Sequence, residues 1–391
     1  MNLTGSSPIR SLHVLSTLDK NYGGPVLAMM STCKYLNQAG HPAEVVATYA
    51  PGDEIDYLAT LYPEVPVHTF PRSFPQRYAN SVRMVRWLVK ELPNYDIVDI
   101  HGIFTFTSVH AARICRRTRT PYVIRPHGSL ARVDLRKHAT LKRFVGPTFV
   151  RPMLAGARAA LLTALLEAQE LVTYGAHVKG LVVPGAVLLP EGTGDGLGFR
   201  RRHKIPTDAL VVLFMGRFHH VKGLQFLIPA LCKLRAEFPR LWFVMAGSGD
   251  PAFSARVEAW IKELNVLPIT TRPGFLAGQD KLDALAAADV FVMPSLSENF
   301  GSVLVEAMQA GLPLVLSDGI YIHKDIQAAG AGLVCRPETS SVTEMLRRLL
   351  GSERERRAMS DCGRHLASQR FRPEAATQLL VRTYRDLLLS Q

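Results

Sequence analysis

The chain lacks most features that would settle its class at once. Its 391 residues hold only 5 cysteines. They are scattered at 33, 115, 232, 335 and 362 with no CxxC, which argues against a disulfide framework or a thiolate zinc site and fits a reducing compartment. No uncharged apolar run approaches ~20 residues, so no transmembrane helix is expected. The opening MNLTGSSPIRSLHVLSTLDK has no signal-peptide apolar core, so a cytoplasmic location is expected. Neither half has a GxGxxG after its first strand, which argues against a nicotinamide dehydrogenase, and no GxxxxGK[ST] phosphate loop occurs. There is no internal repeat. Negative charge is also scarce: 33 acids face 46 lysines and arginines, a net charge of +13 that favours an anionic partner.

What is present is an alternation of apolar strands and helices, run through twice. In the first half, strands are expected at 9–17, 43–48, 95–100 and 121–125, with helices at 26–38, 81–92 and 106–117. Residues 155–166 read as a helix or a short buried strand, and 182–187 as a broken strand. The stretch 192–198, GTGDGLG, reads as a linker. A fresh pattern follows, with strands at 210–215, 241–246, 290–293, 314–317 and 332–335. Short connections between alternating elements predict parallel, doubly wound sheets. The expected organisation is a first domain over 1–190, a linker over 191–205, a second domain over 206–372, and an amphipathic last helix within 373–391.

Open α/β sheets place ligands beyond the carboxyl ends of their strands, and the residue types there are distinctive. Gly23 and Gly24 precede Pro25 at a helix start. By themselves they read first as a plain strand-to-helix turn, though such glycines also let a backbone approach an anion. His101 and His127 both fall at strand ends. Arg217 and Lys222 precede the helix from Leu224, Lys222 just before its start, where a cation opposes the helix dipole unless an anion sits between them. Glu298 and Glu306 lie after the strand 290–293, Glu306 within an apolar helical run. Neither has a partner visible in the sequence, and an unpaired buried carboxylate is costly. Ser295-Leu-Ser-Glu298 also matches a capping box. The segment 113–151 is strongly basic, with Arg113, Arg116, Arg117, Arg119, Arg125, Arg143 and Arg151 among its cations and apolar residues between them. It reads as a membrane-facing surface or as a solvated basic face. No nucleic-acid module accompanies it, so nucleic acid is not an expected partner.

The second half closely resembles the retaining, nucleotide-sugar-dependent glycosyltransferases of family 4 (glycosyl transferases group 1). The match lies in Gly216-Arg217-Phe218, Val221-Lys222-Gly223, Ala246-Gly247-Ser248-Gly249, Pro294-Ser295, and Glu298-x7-Glu306 with Phe300-Gly301 between. It continues through Gly311-Leu-Pro313 and Ser317-Asp318. The first half is looser, with Gly23-Gly24, Asp99-Ile-His101-Gly102 and Pro126-His127-Gly128. The resemblance implies a GT-B fold, two Rossmann-like doubly wound parallel-sheet domains facing a cleft, with the last helix crossing back to the first domain. It implies metal-independent transfer from an NDP-sugar to a glycan or lipid-linked acceptor, at an anionic membrane surface, with no cofactor and no metal site; the sequence has no DxD. Catalytic roles would fall to His127, Arg217, Lys222 and Glu298. The donor would be held by Gly23, Gly24, Arg217, Lys222, Gly247, Glu298, Asn299, Phe300, Gly301 and Glu306. In that reading the cations face the diphosphate and the acids face hydroxyls, so the two sets are not each other's partners. The chain departs from the family at Thr163-Ala-Leu-Leu-Glu167 and Pro184-Gly185-Ala186. Those departures motivate an alternative, a non-catalytic membrane-associated GT-B-like binding protein.

Overall fold

In a computed structural model, the protein is described over residues 7–22, 24–131, 135, 139–187, 189–190 and 192–390. The chain divides into two compact units, Met1–Val187 with Arg372–Gln391, and Leu188–Phe371.

The first unit is built on seven parallel strands: β1 Ser11–Leu15, β2 Ala43–Tyr49, β3 Val67–Pro71, β4 Ile97–His101, β5 Tyr122–Arg125, β6 Ala159–Leu162 and β7 Gly180–Val182. Their spatial order is β3-β2-β1-β4-β5-β6-β7. Strands covered on both faces read as near-continuous apolar runs. Leu12 and Val14 turn one way, towards Val98 and Ile100, and Leu15 turns the other, towards Ile97 and Val123. The alternative left open at 155–166 resolves as strand β6. β3 escaped the sequence reading because VHTFP is a half-exposed edge strand preceded by Pro66 and ending in Pro71. The last helix, Pro373–Leu389, packs against the helix Gly24–Gln38 and buries Leu380, Val381 and Tyr384 in the same core as Met29 and Met30.

The second unit has six parallel strands: β8 Leu210–Met215, β9 Leu241–Ala246, β10 Thr270–Gly274, β11 Val290–Met293, β12 Leu314–Ser317 and β13 Gly332–Cys335, in the order β10-β9-β8-β11-β12-β13. The stretch expected as a linker, 191–205, belongs to this unit. Asp195 caps the helix Gly196–Arg202 by accepting from the Gly198 N–H at 2.7 Å. Gly194 and Gly196 lie so close to the backbone of the helix Gly278–Ala287 that a Cβ on either would overlap its carbonyl groups. These glycines therefore serve close packing rather than flexibility.

Strand order reverses direction between β1 and β4 in the first sheet and between β8 and β11 in the second. Crevices at such reversals, beyond the carboxyl ends, are where open α/β sheets bind ligands.

Candidate functional site

In the second unit the reversal is flanked by the loop after β8, carrying Arg217 and Lys222, and the loop after β11, carrying Glu298. Gly223 has φ +80° and begins the helix Leu224–Leu234. A Cβ there would run into the Pro294 carbonyl. The two loops are also joined by Leu296 N–H donating to the Val221 carbonyl at 2.8 Å. This close approach brings Lys222 Nζ into contact with Glu298 Oε2, both side chains being 20% exposed. The Glu298 backbone is fixed on its other side, donating to Gly319 and accepting from Tyr321, each at 3.0 Å.

Glu306, on the helix Ser302–Gln309, takes Lys281 Nζ at 3.1 and 3.2 Å on its two oxygens. Lys281 comes from the helix Gly278–Ala287, and the sequence reading missed it because 25 positions separate the pair. These contacts correct the expectation that the acids and cations are not partners: Lys222 pairs with Glu298, and Glu306 has its own lysine. Once the Gly223 approach holds the loops together, opposite charges at that range pair. The capping-box reading is also overturned. No helix starts at Ser295, whose buried hydroxyl has no hydrogen-bond partner.

The remaining expected residues of the second unit lie in the loops after β8, β9 and β11. Arg217 is exposed and makes no hydrogen bond or ion pair among the described residues. Gly301, at φ +70°, opens the helix Ser302–Gln309 without a side-chain cap, leaving its first N–H groups available. Gly247, at φ +132°, donates to the Gly274 carbonyl at 2.7 Å. A Cβ there would overlap the Gly216 carbonyl, so the loops after β8 and β9 touch only because it is glycine. Asn299 is partly buried. The Phe300 ring stands edge-on to Phe371 at 5.6 Å between centroids, which leaves its backbone for any ligand contact. Three cations, Arg217, Lys222 and Lys281, against two acids leave the region net positive.

In the first unit, Gly24 starts its helix with Pro25 in the first turn; Gly23 lies outside the described residues. His127 and Gly128 form a left-handed turn after β5, with φ of +50° and +72°. Glu167 holds this turn by accepting from Gly128 N–H at 3.0 Å. It also accepts from the Thr163 N–H at 2.6 Å and the Thr163 hydroxyl at 2.9 Å. Burial raises the Glu167 pKa despite these donors. So the departure at 163–167 still supplies a working acidic clamp.

His127 does not stand alone. Its Nε2 lies 2.9 Å from His101 Nδ1, and His101 Nε2 lies 3.2 Å from His13 Nδ1. Beside them, fully buried Asp99 accepts from Arg125 Nε at 2.8 Å and from the Tyr384 hydroxyl at 2.7 Å. Burial alone would raise the Asp99 pKa, but Arg125 and the hydrogen bond from Tyr384 hold it well below the usual carboxylate range. Burial pushes His13 and His127 down to about 4 and His101 well below its ordinary value. All three are therefore neutral at pH 7. The sequence reading singled out His101 and His127, named Asp99 only within the Asp99-Ile-His101-Gly102 match, and gave no site role to His13, Arg125 or Tyr384. It placed Arg125 on the basic face; the structure places it in the core against Asp99. Arg132, Arg136 and Lys137 of that basic segment lie outside the described residues.

Comparison with known proteins shows the family and the fold. The model for "Glycosyl transferases group 1" matches residues 198–366, and that for "Glycosyl transferase 4-like domain" matches 23–186. A D-inositol 3-phosphate glycosyltransferase of Stackebrandtia nassauensis is 30% identical over 253 residues, 61% of this chain and 56% of that protein. The alpha-D-kanosaminyltransferase of Streptomyces kanamyceticus is 28% identical over 181 residues, 46% of each chain. Among the relatives first in similarity the match spans 31% to 56% of their length. The crystal structure of Anabaena HepE in complex with UDP-glucose superposes with a TM-score of 0.77 at 20% identity, covering 97% of this chain and all of that one. The chain belongs to the group 1 glycosyltransferases, and its two parallel-sheet units have the GT-B fold.

Proposed function

We propose that the protein transfers a sugar, with retention of configuration and without a metal ion, from a nucleoside-diphosphate sugar to a glycan or lipid-linked hydroxyl. The observation that carries this reading is the arrangement beyond β8 and β11: two lysine–glutamate pairs and a spare arginine at the topological reversal, beside an uncapped helix start. A diphosphate supplies the negative charge that Arg217 and Lys222 favour. Hydroxyl donors of ribose and sugar suit Glu306 and Glu298. Preorganised cations and N–H groups aimed at a leaving diphosphate do the work a divalent ion does elsewhere, and losing one such group typically costs roughly 10²–10³ in rate. In the reaction the anomeric C–O bond to phosphate breaks and a C–O bond to the acceptor forms on the same face. The acceptor proton passes to the departing phosphate oxygen, so no protein base is assigned. HepE binds UDP and glucose, which makes UDP-sugars the first donors to try.

The same reading places the acceptor at an anionic membrane surface. Arg113, Arg116, Arg117, Arg119, Arg143 and Arg151 are exposed, and Phe144 is 73% exposed among them. Each cation near anionic lipid adds about 1 kcal/mol of attraction. No helix among the described residues is long and apolar enough to cross a membrane. A thermal-shift panel of UDP-, GDP- and ADP-sugars tests the donor. A true donor at a hundredfold excess over Kd adds about 2.7 kcal/mol of stability. Absence of any shift sinks the donor reading, and failure of anionic vesicles to retain the protein at low salt sinks the membrane part.

A further inference from the structure

The three imidazoles of the first unit form one chain across the reversal between β1 and β4. His13 Nε2 lies 3.4 Å from the Ser11 hydroxyl, His13 Nδ1 lies 3.2 Å from His101 Nε2, and His101 Nδ1 lies 2.9 Å from His127 Nε2. A neutral imidazole carries one N–H and one lone pair. Each contact in the chain needs one of each. The chain therefore has only two states: every ring carries its proton on Nε2, or every ring carries it on Nδ1.

Asp99 breaks that symmetry. Its Oδ2 is taken by Arg125 and Tyr384. Its Oδ1 is buried with no hydrogen-bond partner and lies 3.6 Å from His101 Nε2. A buried carboxylate oxygen facing a ring lone pair is repelled, and one facing an N–H is stabilised. We propose that Asp99, locked in place by Arg125 and Tyr384, orients the whole histidine chain, so that His127 carries its proton on Nε2 and offers Nδ1 as a hydrogen-bond acceptor to a sugar hydroxyl. Asp99, His101, His13 and Tyr384 are positioning residues in this scheme. His127 is the residue that meets substrate, a role that rests on the donor reading above. The last helix of the chain thereby acts on the site through a single hydroxyl group. A metal ion between His13, Asp99 and His101 is the competing use of the same atoms. It fits less well, because Arg125 already neutralises Asp99 and the His13–His101 spacing is that of a hydrogen bond.

The test is the imidazole nitrogen spectrum of the full chain with isotope-labelled histidine at pH 7, each of the three rings assigned by substitution. The expected wild-type result is a proton on Nε2 of His13, His101 and His127. In Asp99→Asn the amide presents an N–H to His101, so the chain flips and His127 carries its proton on Nδ1. A wild-type proton on His127 Nδ1, an unchanged spectrum in Asp99→Asn, or stoichiometric zinc by elemental analysis overturns the proposal. Should Asp99→Asn fail to fold, Tyr384→Phe removes one anchor and is expected to give a mixture of the two tautomers; a pure Nε2–H signal in that variant counts against the idea. In UDP-glucose hydrolysis, Asp99→Asn is expected to lower kcat on the order of tenfold. UDP affinity should be unchanged, and no further loss should appear when the change is added to His127→Ala. Multiplicative losses contradict the coupling. The nitrogen spectrum needs no donor, so failure of the donor reading shows separately, as absent UDP binding.

Discussion

The two units place polar residues at equivalent points, the strand-order reversal, yet use opposite electrostatics. In the first unit His13, His101 and Asp99 are buried and His127 is partly exposed; the imidazoles are neutral, and the one ion pair among them, Asp99 with Arg125, is almost wholly withdrawn from water. In the second the groups are charged, partly exposed and paired by lysines on loops and helix surfaces. A desolvated set is held in one geometry, because moving any member strands another without a partner. A partly exposed ion pair is worth little and exchanges readily for a ligand. The first arrangement suits positioning, and the second suits binding and release of a charged substrate.

The sharpest way to break this contrast is to remove the buried anion. Asp99→Ala leaves Arg125 unpaired in the core, and the expected loss is about 3–5 kcal/mol. Chemical denaturation followed by probes in each unit should show it in the first unit alone. Acid separates the units next. His13 titrates at about 4 when folded and near its ordinary 6.5 when unfolded. Between those values the unfolded chain binds the extra proton, so stability is full above 6.5 and falls as pH drops towards 4, by about 3 kcal/mol for this one group. His13→Asn should reduce that slope by one ring's share, His101 and His127 supplying the rest; a slope that does not change at all means that His13 is not its source. A third change tests the loop approach in the second unit. Gly223→Ala forces a side chain into a left-handed backbone against the Pro294 carbonyl, an expected loss of roughly 2 kcal/mol with weakened UDP binding. The smallest stability effect belongs to Lys281→Ala. Its pair is partly exposed, so stability should move by less than about 1 kcal/mol. UDP affinity, read by calorimetric titration, should rise if Lys281 merely shields Glu306, and fall if the lysine itself meets phosphate.

Most of the architecture was legible in the chain. The strands Leu210–Met215, Leu241–Ala246 and Val290–Met293 announce themselves, because a parallel sheet covered on both faces demands unbroken apolar runs. The family motif at 216–223 and 298–306 was equally plain, since it is local. Glycine misled where its reason was distant: GTGDGLG looked like a linker, but Gly194 and Gly196 answer to the backbone of a helix some 90 positions on.

The sequence by itself therefore determined the alternation of elements, the doubly wound class, and the glutamates and cations beyond β8 and β11. Only the tertiary structure decided who pairs with whom: Lys222 with Glu298, Lys281 with Glu306, and Asp99 with both Arg125 and Tyr384. The reason is physical. Periodicity and turn chemistry are set by neighbours along the chain. Charge pairing and tautomer depend on groups within a few ångströms in space, and Tyr384 reaches Asp99 only because the last helix folds back onto the first sheet.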